Sequence, residues 1–305
     1  MEIGRAVGKL CRGDDDAAVS RQQMNRTAQT ADVAISYDIE GSGPPVLCIQ
    51  GVGVIGNGWR PQVKGLADRF RLITFDNRGI GQSGSATSAL TIEAMANDAL
   101  AILDAEGIDC CHVMGHSMGG LVAQHLTLIA RRRVETLSLL CTSANGRDAT
   151  ALSLRMMIPG LRARVGTRSM RRQGMLRMIM PDDYLLTVDR TALATELQEL
   201  FGRDLGDNPP IVGQQLRAMS RYDARPRLGE LSGVPTLVMS GAHDPIAPPQ
   251  LGRSIASAIE GARFVEFPQA SHALPIQCAN EVNEWLARHW SSAIASSNQV
   301  QPVSV

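Results

Sequence analysis

A serine hydroxyl is a poor nucleophile until a base accepts its proton and an acid fixes that base in the right tautomer. Three residues of this 305-residue chain have the types and surroundings for such a relay. The first is Ser117, in "CCHVMGHSMGG", where a short apolar run meets Gly115-His116-Ser117-Met118-Gly119 and the helical pattern "GLVAQHLTLIA" follows directly. A serine held in a tight strand-to-helix turn needs neighbours without bulk two places to either side, and Gly115 and Gly119 supply them. Such a turn lifts the hydroxyl clear of the strand and sets it beside a helix N-terminus, whose unpaired N–H groups favour a nearby oxyanion. Asp244 follows the apolar run of "VPTLVMSGAHDPIAPP", and His272 follows that of "ARFVEFPQASHALP". The order Ser117, Asp244, His272 is the one expected when the carboxyl ends of one sheet present all three. Asp148, after "LSLLCTSANGR", is a competing acid one strand earlier. Asp244 also has a second use open to it, as a cap for the helix begun by "PIAPPQLGRS".

On these residues the chain resembles the α/β-hydrolase fold superfamily, in the cap-containing serine esterase and lactonase group. The resemblance spans about Ala31 to Trp290, with G-H-S-M-G-G as its most specific motif. It implies that Ser117 is the nucleophile, His272 the general base and acid, and Asp244 the residue that orients the imidazole. It implies an oxyanion hole made of two backbone N–H groups, one on Met118 and one on the loop that follows the strand ending in Gln50. That loop commonly carries His-Gly where this chain has Gln50-Gly51. Backbone donors do not depend on the side chain, so the second N–H is assigned to Val52. "DNRGIGQSG", Asp76 to Gly84, matches a family turn of the form D-x-R-G-x-G-x-S and is read as structural. His116 is read as support for the turn, and Trp59 as either packing or pocket wall. His112, His125, His243 and His289 lack a comparable setting.

The same loop admits another spelling. Gly51-Val52-Gly53-Val54-Ile55-Gly56 reads G-x-G-x-x-G, and Asp76 lies twenty residues beyond Gly56, the arrangement by which a strand-turn-helix unit holds a dinucleotide. A dinucleotide helix starts inside its glycine fingerprint so that its N-terminus meets the pyrophosphate. Here Gly58 and Pro61 delay the helix to about Trp59, and the cofactor reading leaves Ser117, Asp244 and His272 without a use. The expected chemistry is therefore independent of cofactor and metal.

These residues need a scaffold, and the chain supplies its pattern. The runs "VAISYDI", "PPVLCIQ", "FRLITFD", "CCHVMG", "VETLSLLC", "VPTLVMSG" and "ARFVEFP" alternate with helix-length segments, and several are continuously apolar, as strands buried on both faces are. The fold class expected is α/β: a mostly parallel central sheet flanked by helices, with a helical cap insertion. Residues 31–146 and 222–291 form the expected core and 147–221 the cap, broken at Pro159, Pro181, Pro209 and Pro210. Residues 1–30 and 292–305 are expected to be a flexible extension and a flexible tail. A helical insertion on the carboxyl side of a parallel sheet is placed to cover a ligand there.

Thirty basic and thirty acidic residues cancel, so the net charge calls for neither nucleic acid nor an anionic membrane. No apolar run approaches the roughly 20 residues of a membrane span, and the first residues lack the apolar core of a secretory signal. A cytoplasmic protein with a small-molecule ester or lactone substrate is expected. The cysteines Cys11, Cys48, Cys110, Cys111, Cys141 and Cys278 show no C-x-x-C spacing and are read as free thiols. From Arg147 to Met180 the insertion holds eight arginines, one acid and six methionines. Met156, Met157, Met170, Met175, Met178 and Met180 face either the substrate or the core, and the arginines are either solvated or a lure for an anionic substrate. The expected activity is hydrolysis of carboxylic esters of small to medium apolar substrates. Lactonase, carbon–carbon bond hydrolase and cofactor-free perhydrolase are the alternatives within the same machinery. A slowly turning-over ligand receptor is the alternative outside it.

Overall fold

The computed structural model describes residues 26–85, 88–150 and 160–299. Eight strands form one sheet: β1 (Arg26–Gln29), β2 (Ala34–Glu40), β3 (Pro45–Ile49), β4 (Arg71–Phe75), β5 (Cys111–His116), β6 (Val134–Leu140), β7 (Thr236–Gly241) and β8 (Arg263–Phe267). Their order is β1-β2-β4-β3-β5-β6-β7-β8. The six strands from β4 to β8 in that order run parallel, and β2 and β1 add an antiparallel edge. The seven apolar runs of the sequence become β2 to β8.

β1 departs from expectation, because it falls inside the segment taken as a flexible extension. Its four residues, "RTAQ", bury Ala28 alone, so the segment carries no apolar period, and its pairing with β2 fixes it instead. The last helix corrects the other end. It runs from Ala279 to Gln299, through the first residues of the segment expected to be a tail. Residues 1–25 and 300–305 lie outside the described residues.

Helices cover both faces. α1 (Arg60–Leu66) lies on one face with the final helix, where Trp59, Leu66, Leu286 and Trp290 pack on Val46, Leu72 and Met114. α2 (Ile92–Ala105) and α3 (Met118–Ile129) lie on the other, where Met95, Ile102, Leu121 and Val122 pack on Leu47, Ile73 and Val113. Strands clothed on both sides bury nearly every side chain, which is why β3, β5 and β7 read as unbroken apolar runs.

Between β6 and β7 the chain leaves the sheet and forms α4 (Arg168–Ile179), α5 (Asp182–Thr187), α6 (Arg190–Phe201) and α7 (Pro210–Arg221). Pro181 and Pro209 stand as the N-caps of α5 and α7, and Thr167 and Asp189 cap α4 and α6 through their side chains. Leu176, Ile179, Leu185, Leu193 and Leu197 give this insertion its own apolar cluster, which also takes in Ala273 of the core. Asn145 and Asp223 form an antiparallel bridge where the insertion leaves and rejoins the sheet. α8 (Pro249–Ala258) and α9 (Ala279–Gln299) complete the core.

Candidate active site

Ser117 sits in the one-residue turn between β5 and α3 with φ 55° and ψ −120°. A non-glycine residue there carries strain of roughly 1–3 kcal/mol, and the surroundings must hold it. They do so on both sides: the Ser117 N–H donates to Leu140 O at 2.9 Å, and Thr142 Oγ1 donates to Ser117 O at 2.7 Å. The flanking glycines are required by close approach. A Cβ on Gly115 would lie 2.3 Å from Gly119 O, and one on Gly119 would lie 2.1 Å from Ile49 O.

The structure brings the three sequence-predicted residues together, although 155 positions separate Ser117 from His272. His272 Nε2 is 2.9 Å from Ser117 Oγ, and His272 Nδ1 is 2.8 Å from Asp244 Oδ2. A carboxylate only accepts, so Nδ1 carries the proton and the lone pair of Nε2 faces the serine O–H. The other oxygen of Asp244 accepts from the N–H groups of Ile246 and Ala247 at 2.8 and 2.9 Å. Asp244 thus organises its own turn rather than capping α8, whose N-cap is Pro248. Asp148, the competing acid, is exposed and lies 4.0 Å from Arg225, away from His272.

His116 is committed elsewhere. Its Nε2 donates to the carbonyl of His272 at 2.8 Å, which ties the backbone of His272 to the Ser117 turn. Burial, together with the neighbouring His272 ring, pushes its pKa down to about 3, so it stays neutral. Trp59 is fully buried against the edge of His116 and belongs to the core. His116, Cys141 and His272 place donor atoms within 4.8 Å of one another, the spacing a metal ion needs. Both imidazoles are already engaged, and burial holds the Cys141 thiol well above its ordinary pKa, so the set fits a metal poorly.

The loop after β3 runs against Ser117. A Cβ on Gly51 would lie 3.1 Å from Ser117 Cβ, and Val52, the next residue, lines the same cavity as Ser117. Met118 opens α3, and its N–H is among those a helix start leaves without an intrahelical acceptor. Gln50, where a histidine is common, is buried and folds back on the loop: its Oε1 accepts from the Gly51 N–H at 3.2 Å, and its carbonyl accepts from Asn77 Nδ2 at 3.1 Å. Gly58 leaves the space its amide fills, since a Cβ there would meet Gln50 Nε2 at 2.6 Å. Asp76 is buried and turned onto its own surroundings. One carboxylate oxygen accepts from the Gly56 N–H at 2.7 Å and the other from the Gln82 N–H at 2.8 Å. A turn of 3₁₀ helix at Gly56–Trp59 precedes α1. The glycine fingerprint is therefore a buttressed loop. In "DNRGIGQSG", Arg78 forms a buried two-point pair with Asp98 at 2.6 and 2.7 Å, a structural use.

Two residues of the site escaped sequence reasoning. Gln215, on α7, accepts from the Gly53 N–H at 2.8 Å. Arg203, after α6, donates from Nε to Gly53 O at 2.9 Å. The insertion thus holds both polar groups of Gly53, one residue past Val52. A third tie joins Ala273 N–H to Ile179 O at 2.9 Å, beside His272.

Above Ser117 and His272 lies a cavity of about 340 Å³, near the lower end of the range for small-molecule sites. Met175, Met178, Ile179, Val212, Leu216 and Met219 make its walls largely apolar. The methionines divide: Met175 and Met178 line the cavity, Met170 is exposed and Met180 is buried inside the cap. Met156 and Met157 lie outside the described residues. The described cysteines are free, with Cys48, Cys111 and Cys141 buried, Cys278 half-buried and Cys110 exposed. No helix among the described residues is long and apolar enough to cross a membrane.

Residues 44–277 match the sequence pattern of the alpha/beta hydrolase fold family. Over 261 residues the chain is 29% identical to the candidate carbamate hydrolase RutD of Azorhizobium caulinodans, covering 85% of this chain and 96% of that protein. The enol-lactonase from Burkholderia xenovorans LB400 superposes with a TM-score of 0.74 at 28% identity, covering 87% of this chain and 100% of that one. A thermophilic esterase from Thermogutta terrifontis superposes with a TM-score of 0.72 at 26% identity, covering 88% and 98%.

Proposed function

The chain belongs to the α/β-hydrolase fold family, and on that premise we propose that it is a cofactor-independent serine hydrolase of carboxylic esters. The observation that carries this reading is the relay from Ser117 Oγ through His272 to Asp244, with links of 2.9 and 2.8 Å, at the floor of the cavity. As a substrate carbonyl approaches, His272 Nε2 takes the serine proton and Ser117 Oγ forms the tetrahedral intermediate. The N–H groups of Val52 and Met118 hold its oxyanion, and each such donor is typically worth roughly 2.7–4 kcal/mol. His272 then returns the proton to the leaving alkoxide, and water, deprotonated in turn by His272, releases the acid from Ser117. The free thiols, three of them buried, fit a reducing compartment, and we place the protein in the cytoplasm.

A lactone is the second reading, favoured by the likeness to the enol-lactonase, and the carbamate of the RutD-like relatives undergoes the same acyl attack. The test is a panel of p-nitrophenyl esters of graded acyl length beside lactones and carbamates. Ser117→Ala should lower kcat/KM by about four orders of magnitude or more, and an organophosphate should leave a covalent adduct on Ser117. Activity retained by Ser117→Ala would overturn the mechanism. A faster reaction with lactones than with open esters would move the substrate class to the second reading.

A further inference from the structure

The described residues that line the cavity include Arg164, Arg203 and Arg217 but no aspartate or glutamate. An apolar chamber with three guanidinium groups and no carboxylate is electrostatically incomplete. Arg164 and Arg217 are exposed and stand at the rim, and neither has a carboxylate partner among the described residues. Arg203 is half-buried. Its Nε donates to Gly53 O at 2.9 Å, and its Nη1 donates to Asp207 O at 2.8 Å and, more loosely, to Asp204 O at 3.4 Å. Those acceptors are neutral carbonyls, and Nη2 has no hydrogen-bond partner among the described residues. The nearby carboxylates are held by other cations: Asp204 pairs with Arg172 and Arg168, and Asp207 with Arg168 at 2.8 Å. Burial lowers the pKa of Arg203, and Asp207 and Asp204 oppose that shift from a distance without pairing with its guanidinium.

We infer that the substrate carries a carboxylate on its acyl chain, bound by Arg203 in the cavity with Arg164 and Arg217 at the rim, and that through Arg203 this anion steadies the oxyanion loop. The inference rests on the ester-hydrolase reading above and names the substrate class of that same site. A guanidinium offers five donors in a fixed fork, so one that holds a loop carbonyl through Nε still presents Nη2 to an anion. Docking the carboxylate orders the Arg203 side chain, and that side chain holds the carbonyl of Gly53, the residue after Val52. Substrate charge is thereby converted into a better-placed oxyanion hole, so an acidic substrate gains in kcat as well as in KM.

The test compares p-nitrophenyl pentanoate with the mono-p-nitrophenyl ester of glutaric acid, which have the same acyl length without and with a terminal carboxylate. The wild-type protein should favour the acidic ester by about tenfold or more in kcat/KM, and the advantage should shrink as salt rises from about 0.05 to about 0.5 M. Arg217→Met should raise the KM of the acidic ester about tenfold more than that of the neutral one. Arg203→Met should lower kcat and raise KM together. Arg203→Lys should recover the KM for the acidic ester without recovering kcat, because lysine restores the charge but not the Nε bond to Gly53. Equal kcat/KM on the two esters in the wild type, or variants that impair both esters in proportion, would overturn the inference while leaving the serine-hydrolase reading intact. A second arm needs no turnover. In Ser117→Ala, glutarate should raise Tm relative to glutaramide at matched ionic strength, and Arg203→Met should abolish the difference. Glutarate binding by a protein that hydrolyses neither ester would sink the hydrolase reading and keep the anion site, and no glutarate effect would overturn the anion site.

Discussion

At the scale of single residues, Asp244 shows how closely orientation and charge are joined. Its Oδ2 holds His272 while its Oδ1 holds two backbone N–H groups, so the carboxylate cannot rotate without breaking its own turn. Asp244→Asn keeps the Oδ1 acceptor but turns an amide N–H toward Nδ1, which forces the imidazole into the tautomer that cannot take the serine proton. kcat should fall by about three to four orders of magnitude with the circular dichroism spectrum and Tm nearly unchanged. Ser117, Asp244 and His272 were legible in the sequence because each closes an apolar strand, and strand ends on one sheet edge are brought together by topology alone. Gln50 was legible as an anomaly but not as a solution. Its amide folds into space that exists because position 58 is glycine, and no spacing rule links those two.

At the scale of elements, the loop after β3, proposed to hold the oxyanion, is a suspended peptide whose supports come from three directions: Asp76 beneath Gly56, Gln215 on the N–H of Gly53, and Arg203 on its carbonyl. Gln215 is fully buried, and its Nε2 has no partner among the described residues. Gln215→Met removes the acceptor for Gly53 and the orphaned donor together, so stability should move by less than about 1 kcal/mol. kcat should nevertheless fall roughly tenfold, a fraction of the 10²–10³ that follows loss of an oxyanion donor itself. A matched set of denaturation midpoints and kcat values decides it; an unchanged kcat would make the Gln215 bond ornamental. These ties, across 162 and 150 positions, were invisible in the sequence because no motif or strand end marks Gln215 or Arg203. The helical pattern of the insertion shows that helices exist there, but tertiary packing decides which residue of α7 meets which loop. β1 went unseen for the opposite reason: with only Ala28 buried, its strand character resides in its partner's hydrogen bonds.

At the scale of the whole molecule, the sheet and its flanking helices carry buried bases that acid will charge. His112 is completely buried, stacked on Trp290 with its Nδ1 3.0 Å from Thr136 Oγ1. Burial, together with the His289 ring, pushes its pKa down to about 4, and Glu135 lies 3.9 Å from its Nε2. His289, half-buried, is held at about 4 chiefly by burial. A histidine whose folded pKa lies below its unfolded value of about 6.5 leaves the unfolded chain binding more protons. Stability is therefore full above about pH 6.5 and declines as the pH falls toward 4. His112 alone should cost about 2 kcal/mol between pH 7 and pH 5. Urea midpoints across that window should show the decline, and His112→Asn should flatten it by about one proton. The gross fold was readable because doubly covered strands announce themselves as apolar runs, whereas the attachment of the insertion was not. That attachment is narrow at its base: Asn145 bridges Asp223, the Gly146 N–H meets Tyr222 O at 3.1 Å, and the Ala224 N–H meets Ala144 O at 2.8 Å. The two ends of the insertion are consequently side by side, and the sheet is indifferent to the length of chain between them. A different insertion spliced at that bridge would bring new walls and a new counter-charge to Ser117 without displacing a strand, provided that it also replaced the ties of Gln215 and Arg203 to Gly53.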